Sequence, residues 1–237
     1  MIGTIVNALA ILAGGGLGLL LRGVSPERFR VTIMQGLALA VVLIGIQGAL
    51  KTNDIMCVIT SLVLGGLLGE ALRIESRLES LGDAARRLLS HNSTDNTNNI
   101  DSSFTEGFLT ASLVYCVGAM AIIGSLEDGL TGAHSTLFAK SALDGVSAIF
   151  FASTLGPGVL LSALPVFVYQ GLISLLAHAL SPLLTSTAMA EMSAVGGLLI
   201  VGIGLNLLNI VKIRVGNMLP ATLLPLAYIP LVGLFGK

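Results

Sequence analysis

Lys140 and Asp144 stand four residues apart inside an otherwise apolar stretch, residues 136–155. On a helix that spacing stacks both side chains on one face, where ammonium and carboxylate can neutralise one another. An unpaired charge in hydrocarbon costs several kcal/mol, so ionisable groups kept there mark a functional site by default. A purely packing role is open to uncharged residues at lower desolvation cost, and the pair therefore reads as a binding or coupling site for a small solute or ion. The competing reading has Lys140 near a helix end, snorkelling toward headgroups while the pair only fixes packing.

Other polar residues gather around this pair in the sequence. Glu127 and Asp128 end the preceding apolar stretch, with Gly129, Gly132 and His134 close behind. They read either as an acidic vestibule that attracts cations or as a polar turn. His134 has no second His or Cys at ligand spacing, so no metal site is expected. Asn7, Gln35, Gln47, Gln170, Asn206 and Asn209 lie within or at the edges of apolar stretches, and their amides need partners where water is absent. Interhelical hydrogen bonding is the plain explanation. Convergence of Gln170 and Asn206 with Lys140, Asp144, Glu127 and Asp128 as a polar binding set is the sharper one. Glu70 and Glu191 fall near stretch ends, where headgroup water is expected to solvate them.

Enzymatic signatures are missing. There is no His-Glu-x-x-His, no Gly-x-Ser-x-Gly and no cysteine-rich metal spacing. Ser141 adjoins Lys140, but adjacent helical residues point about 100° apart and cannot form a Ser-Lys nucleophile. Gly14-Gly15-Gly16 lacks the Gly-Lys-Ser/Thr of a phosphate loop. The sequence thus predicts no enzyme and no cofactor.

The elements that must position these residues follow from composition. Of 237 residues, 54% are hydrophobic and 11% charged, and the mean hydropathy is +0.93. That is too aliphatic for a soluble globule of this size. Eight apolar stretches approach the ~20 residues that cross a bilayer core: roughly 2–21, 31–50, 55–72, 107–126, 136–155, 158–180, 190–211 and 218–235. The fold expected is an all-α, polytopic transmembrane bundle forming a single membrane domain over residues 1–237, with the lipid bilayer as its main partner. Gly156-Pro157-Gly158 separates the fifth and sixth stretches and fits a tight turn or a break inside a helix. Cys57 and Cys116 lie in apolar stretches and read as small buried hydrophobes. The first stretch has no positive n-region and should be retained as a span.

Basic residues fix the expected orientation. Arg22, Arg28 and Arg30, then Arg73, Arg77, Arg86 and Arg87, then Lys212 and Arg214 follow the first, third and seventh stretches. With eight crossings all three groups fall on one side, predicted cytoplasmic, and both termini outside. Residues 74–90 show the spacing of an amphipathic cytoplasmic helix, and 91–103 the composition of a flexible cytoplasmic linker. A faint likeness relates the two sides of that linker. Small residues cluster in the first and fourth stretches, three crossings apart, while the triplets Gln35-Gly36-Leu37 and Gln170-Gly171-Leu172 fall in the second and sixth and break a simple three-for-three register. The three-crossing spacing allows an internal inverted repeat of the kind found in secondary transporters. Glycine clusters with small-x-x-x-small spacing predict close helix contacts and permit a homo-oligomer. The net charge of −1, without a basic run, excludes nucleic acid.

The run 116–125 leading to Asp128-Gly129-Leu130, then Lys140-Ser141-Ala142-Leu143-Asp144-Gly145 and Tyr169-Gln170-Gly171, resembles a bacterial membrane-protein family known as domain of unknown function 554. Gly3-Thr4-Ile5-Val6-Asn7, Leu205-Asn206-Leu207-Leu208 and Arg214-Val215-Gly216-Asn217-Met218-Leu219-Pro220 are similar to it too, so the likeness spans the chain. It implies a bacterial inner-membrane protein and carries over no activity. The function expected from the residues is a transporter or channel for a small solute or ion. The alternative is a non-transporting scaffold or sensor acting through its cytoplasmic segment.

Overall fold

A computed structural model describes residues 1–22, 27–89 and 98–235, and all its regular structure is helical. In chain order the α-helices are α1 (Ile2–Arg22), α2 (Glu27–Ala49), α3 (Ile55–Leu72), α4 (Ile74–Leu89), α5 (Asn98–Cys116), α6 (Ala119–Leu130), α7 (Ser135–Leu155), α8 (Gly158–Leu161), α9 (Ala163–Leu175), α10 (Ala177–Leu180), α11 (Ser186–Leu207) and α12 (Pro225–Phe235). Val215–Thr222 forms a 3-10 segment before α12. Five helical runs among the described residues are long and apolar enough to cross a membrane, and two bent pairs bring the number to seven. With 21 residues, α7 has the length as well, since ~1.5 Å per residue matches a hydrocarbon core of ~30 Å. Counting α7, which is less apolar than those seven, gives eight, compatible with the number of stretches read from the sequence.

Glycine contacts give the directions of the crossings. Helices α1 and α7 run parallel, because a Cβ on Gly3 would meet Leu137, on Gly14 the carbonyl of Gly145, and on Gly18 that of Ile149. Helices α2 and α11 run antiparallel, with Gly45 against Gly197 and Val201, and Gly204 against Ala38 and Val42. The 3-10 segment descends against α3, Gly65 facing Ala221 and Gly69 facing Asn217. Without a hydrophobic force between helices in lipid, such backbone proximity supplies the attraction through dispersion.

These directions define two faces. One, the Asp128 face, gathers Met1, the turn at 50–54, the α6–α7 turn and the start of α11. Here Glu191 accepts from Thr52 Oγ1 (2.7 Å) and from the backbone amides of Asn53 (2.7 Å) and Asp54 (3.1 Å). Glu191 is thus fully buried and satisfied rather than water-exposed as the sequence suggested. At the other, the Glu75 face, Arg214 meets Glu70 at 3.0 Å. There Asn217 accepts from the Glu75 amide (2.8 Å), donates to Glu70 (2.6 Å), and the Glu75 carboxylate accepts from Gly216 (3.0 Å). Burial pushes the Glu75 carboxyl above its usual range, opposed by the Gly216 hydrogen bond.

The outer surface is apolar, with Leu39, Leu43, Ile44, Ile59, Leu64 and Leu67 all exposed. The core is also largely apolar, with Tyr115 and Phe151 packed within it, ring centroids 6.2 Å apart, but it encloses buried polar residues as well. Both cysteines are free and buried.

The structure revises two sequence expectations, the unbroken fourth span and the extent of the linker, and resolves the two readings of Gly156-Pro157-Gly158. The stretch 107–126 is a broken span: α5 and α6 meet at a 60° bend, where Gly118 has φ 144, a conformation that essentially only glycine adopts. The Gly156-Pro157-Gly158 element is a turn, because α7 arrives at the Glu75 face and the Gly158–Leu175 run returns antiparallel to α1, Gly15 beside Leu160 and Gly171 beside Met1. The amphipathic helix is present as α4, its Gly82 packed on Phe108 and its Asp83 accepting from Thr105 Oγ1 at 2.6 Å. Of the expected linker, residues 91–97 lie outside the described residues, as does residue 90, and 98–103 are already helical. Gln35 is exposed while Gln170 is fully buried, so the two Gln-Gly-Leu triplets occupy different environments.

Gly14 and Gly16 give a matched test of the α1–α7 seam. Gly14→Leu forces a side chain into the Gly145 carbonyl, whereas a Cβ at Gly16 meets nothing within 4 Å. Gly14→Leu is expected to lower the melting temperature in detergent sharply or abolish folding. Gly16→Leu should be neutral or slightly stabilising, by up to about 1 kcal/mol of helix propensity. Equal effects from the two would contradict the parallel α1–α7 packing.

Candidate functional site

The α1–α7 seam and the return of α9 bring four polar side chains together. Lys140 and Asp144 project from one face of α7, and the ammonium donates to both carboxylate oxygens, at 2.9 Å (Oδ1) and 2.7 Å (Oδ2). From α1, Asn7 Nδ2 donates to Asp144 Oδ2 at 3.0 Å and to Gln170 Oε1 of α9 at 3.3 Å. Asn7 and Gln170 are fully buried, and the side chains of Lys140 and Asp144 are each 8% exposed. At ~1.5 Å per residue, Lys140 and Asp144 lie roughly 7 and 13 Å along α7 from its start at Ser135. The pair is therefore inside the bundle, and Lys140 does not snorkel.

Polar capacity is left over. Asn7 Oδ1, Gln170 Nε2 and the hydroxyl of fully buried Thr4, one turn before Asn7, have no hydrogen-bond partner. Each such orphan costs on the order of 1–3 kcal/mol. Tyr115 and Cys116, at the end of α5 just before the Gly118 break, lie within electrostatic reach of the pair. A discontinuous span beside buried polar groups is tolerated where the irregular backbone is shielded by protein or lines a cavity.

The remaining predicted residues lie elsewhere. Glu127 accepts from Thr136 Oγ1 at 2.6 Å across the α6–α7 turn. Asp128 is buried, paired with the Met1 amino group at 3.0 Å and in close contact with His134 Nδ1. The acidic turn is thus a closed corner rather than an open vestibule. Asn206 uses both ends of its amide on Ile213, donating to its carbonyl and accepting from its amide, each at 2.7 Å. It closes the loop after α11 at the Glu75 face, where a cavity of about 730 Å³ is lined by Glu75, Glu79, Glu106, Asn206 and Lys212 among others. None of the four clustered residues lines that cavity. Gln47 and Asn209 are exposed. Asn7 is the member that the candidate set lacked, and its signal was only that of an amide in an apolar stretch.

Stability measurements can check the cluster. Lys140→Met leaves a buried carboxylate short of its charge partner, and removing one member of such a pair costs about 3–5 kcal/mol. Lys140→Met with Asp144→Leu removes both charges and should recover most of that loss, since an apolar replacement of a buried pair is often neutral. Chemical unfolding in detergent compares the single and double variants. A double variant as unstable as the sum of its parts would mean that the two charges are not coupled.

Comparison with known proteins places the chain. The model of the family described as "Protein of unknown function (DUF554)" matches residues 2–229. The chain is similar to the "Uncharacterized protein YqgA" of Escherichia coli (strain K12), 35% identical over 94% of each chain. It is also similar to the "Uncharacterized membrane protein YdfK" of Bacillus subtilis (strain 168), 32% identical over 100% of this chain and 99% of that protein. No solved structure matches it. With that coverage and its membrane-crossing helices, the chain belongs to the DUF554 family.

Proposed function

We propose that this multi-pass membrane protein is a carrier for a small solute or ion, with Lys140 and Asp144 as its binding and coupling pair. One observation supports this above the others: charged and amide groups from α1, α7 and α9 converge within the bundle and leave donors and acceptors unpaired. A cluster serving only to hold helices together gains nothing from orphaned polar atoms. At rest the pair neutralises itself, and cargo or a proton competes for one partner during the cycle. The broken α5–α6 span beside the pair gives a segment able to rearrange. No chemistry on the cargo is proposed. On this reading the membrane is a bacterial inner membrane, as the family likeness implies, and the distribution of basic residues supports an orientation with the Asp128 face and both termini outside.

In proteoliposomes presented with a broad panel of ions and small solutes, wild-type flux of the true cargo should fall at least about tenfold in Asp144→Asn and in Lys140→Met. Flux unaffected by both substitutions across the panel would defeat the coupling role.

The cavity beside α4 favours a second reading, a scaffold or sensor acting through α4 and residues 91–97. Deleting 91–97 separates the two. A carrier with intact spans keeps its flux, whereas a signalling platform loses its cellular phenotype.

A further inference from the structure

We propose, building on the carrier reading of the same residues, that the cluster is a site for a dehydrated monovalent alkali cation that exchanges one for one with the proton of Lys140.

The donor set points to such an ion. Around Asp144 stand the oxygens of its own carboxylate, Gln170 Oε1 and the unpartnered Asn7 Oδ1, with the unpartnered Thr4 Oγ1 one helical turn before Asn7 on α1. Hard cations take ligands of this type, whereas soft metals take thiolate and imidazole. Asn7 now spends its Nδ2 on two of those oxygens, Asp144 Oδ2 and Gln170 Oε1. Rotation of that amide by half a turn presents Oδ1 to the same place, an arrangement that a cation between the oxygens would stabilise. Lys140 Nζ, 2.7 Å from Oδ2 and 2.9 Å from Oδ1, stands at the carboxylate as a tethered cation.

Charge and space set the class and the stoichiometry. Among the described residues Asp144 is the one carboxylate of this cluster, and Lys140 balances it. A second positive charge there faces a low dielectric with no compensating anion. Binding is therefore accompanied by loss of the ammonium proton. One N–H bond of Lys140 breaks, its electron pair stays on Nζ, the proton leaves to water, and the cation takes the carboxylate. The site returns to net zero. A divalent cation would leave it charged even after that step. Among the described residues, Arg22 of α1 lies beside Gly156 at the far end of α7 and Glu106 of α5 lines the Glu75-face cavity. The other titratable neighbours on the elements around the pair are Tyr115 and Cys116 of α5, Tyr169 of α9, and the Met1 amino group, Glu127, Asp128 and His134 at the Asp128 face. The phenols and thiol add no formal charge at neutral pH, and the two carboxylates have partners of their own. With Asn7, Thr4 and Gln170 fully buried and the cluster absent from the lining of the 730 Å³ cavity, a bare ion is favoured over an organic cargo.

The test uses purified full-length protein in weakly buffered detergent, with sodium, potassium and lithium chlorides as probes and choline chloride as the ionic-strength control. Calorimetry reads binding and a pH dye reads protons. At least one alkali cation should bind wild type and release about one proton per ion bound, while choline does neither. Lys140→Met should bind the same cation more tightly and release no proton, and the cation should raise its melting temperature by more than it raises that of wild type. Should that variant not fold, Gln170→Leu supplies the second arm: weaker cation binding with the proton stoichiometry unchanged. Absence of alkali-cation binding to wild type, or binding without proton release, overturns the proposal. If flux of another solute depends on Lys140 and Asp144 while these cations neither bind nor release protons, the carrier reading stands and the cation site is refuted. If proton-coupled binding occurs without any flux, the site stands and the carrier reading is refuted.

Discussion

An ionised carboxylate within a bundle of apolar helices must be compensated where it sits, because neither water nor hydrocarbon will do it. Asp144 is compensated twice, by an ammonium on its own helix and by an amide from α1. The second contact requires the backbones of α1 and α7 to lie almost against one another. Gly14, Gly18 and Gly145 permit this, and they have no side chain whose loss the seam would notice. The parallel sense of the two helices then requires an intervening return, so the rest of the topology is organised around one buried charge. The α2–α11 and α3–3-10 seams repeat the glycine device without a charge and hold the flanks.

Two kinds of polar residue coexist in this bundle. Glu191 and Asn206 have every oxygen or nitrogen engaged and serve turns at the two faces. Asn7, Thr4 and Gln170 are as deeply buried but incompletely engaged. Burial alone does not separate these two kinds. The degree of satisfaction does, and the carrier proposal rests on it, because a fold selected for stability alone has inexpensive ways to remove an orphaned group, by an apolar residue of similar volume.

The sequence made the spans and the charged pair legible because both are local. Length and apolarity define a crossing, and the spacing of Lys140 and Asp144 defines a shared helical face without knowledge of any neighbour. Convergence is not local. Asn7 and Gln170 meet across 163 residues, and whether two amides in separate helices meet depends on crossing geometry that glycine spacing permits but does not specify. Asn206 looked equivalent to Asn7 by composition, yet its partner lies seven residues away in its own loop. Gly118 stands in the sequence only as one of several small residues of the fourth stretch. A glycine that breaks a helix and one that lets helices touch have the same composition signature, and only φ distinguishes them.

Infrared difference spectroscopy on wild type and Asp144→Asn, recorded before and after addition of an alkali cation, tests the compensated carboxylate most directly. An ionised Asp144 held by Lys140 and Asn7 should give a carboxylate band that is absent from the variant, shifts on cation binding, and has no accompanying protonated-acid carbonyl band. A protonated-acid band assigned to Asp144 and insensitive to the cation would contradict the ionised, exchangeable pair.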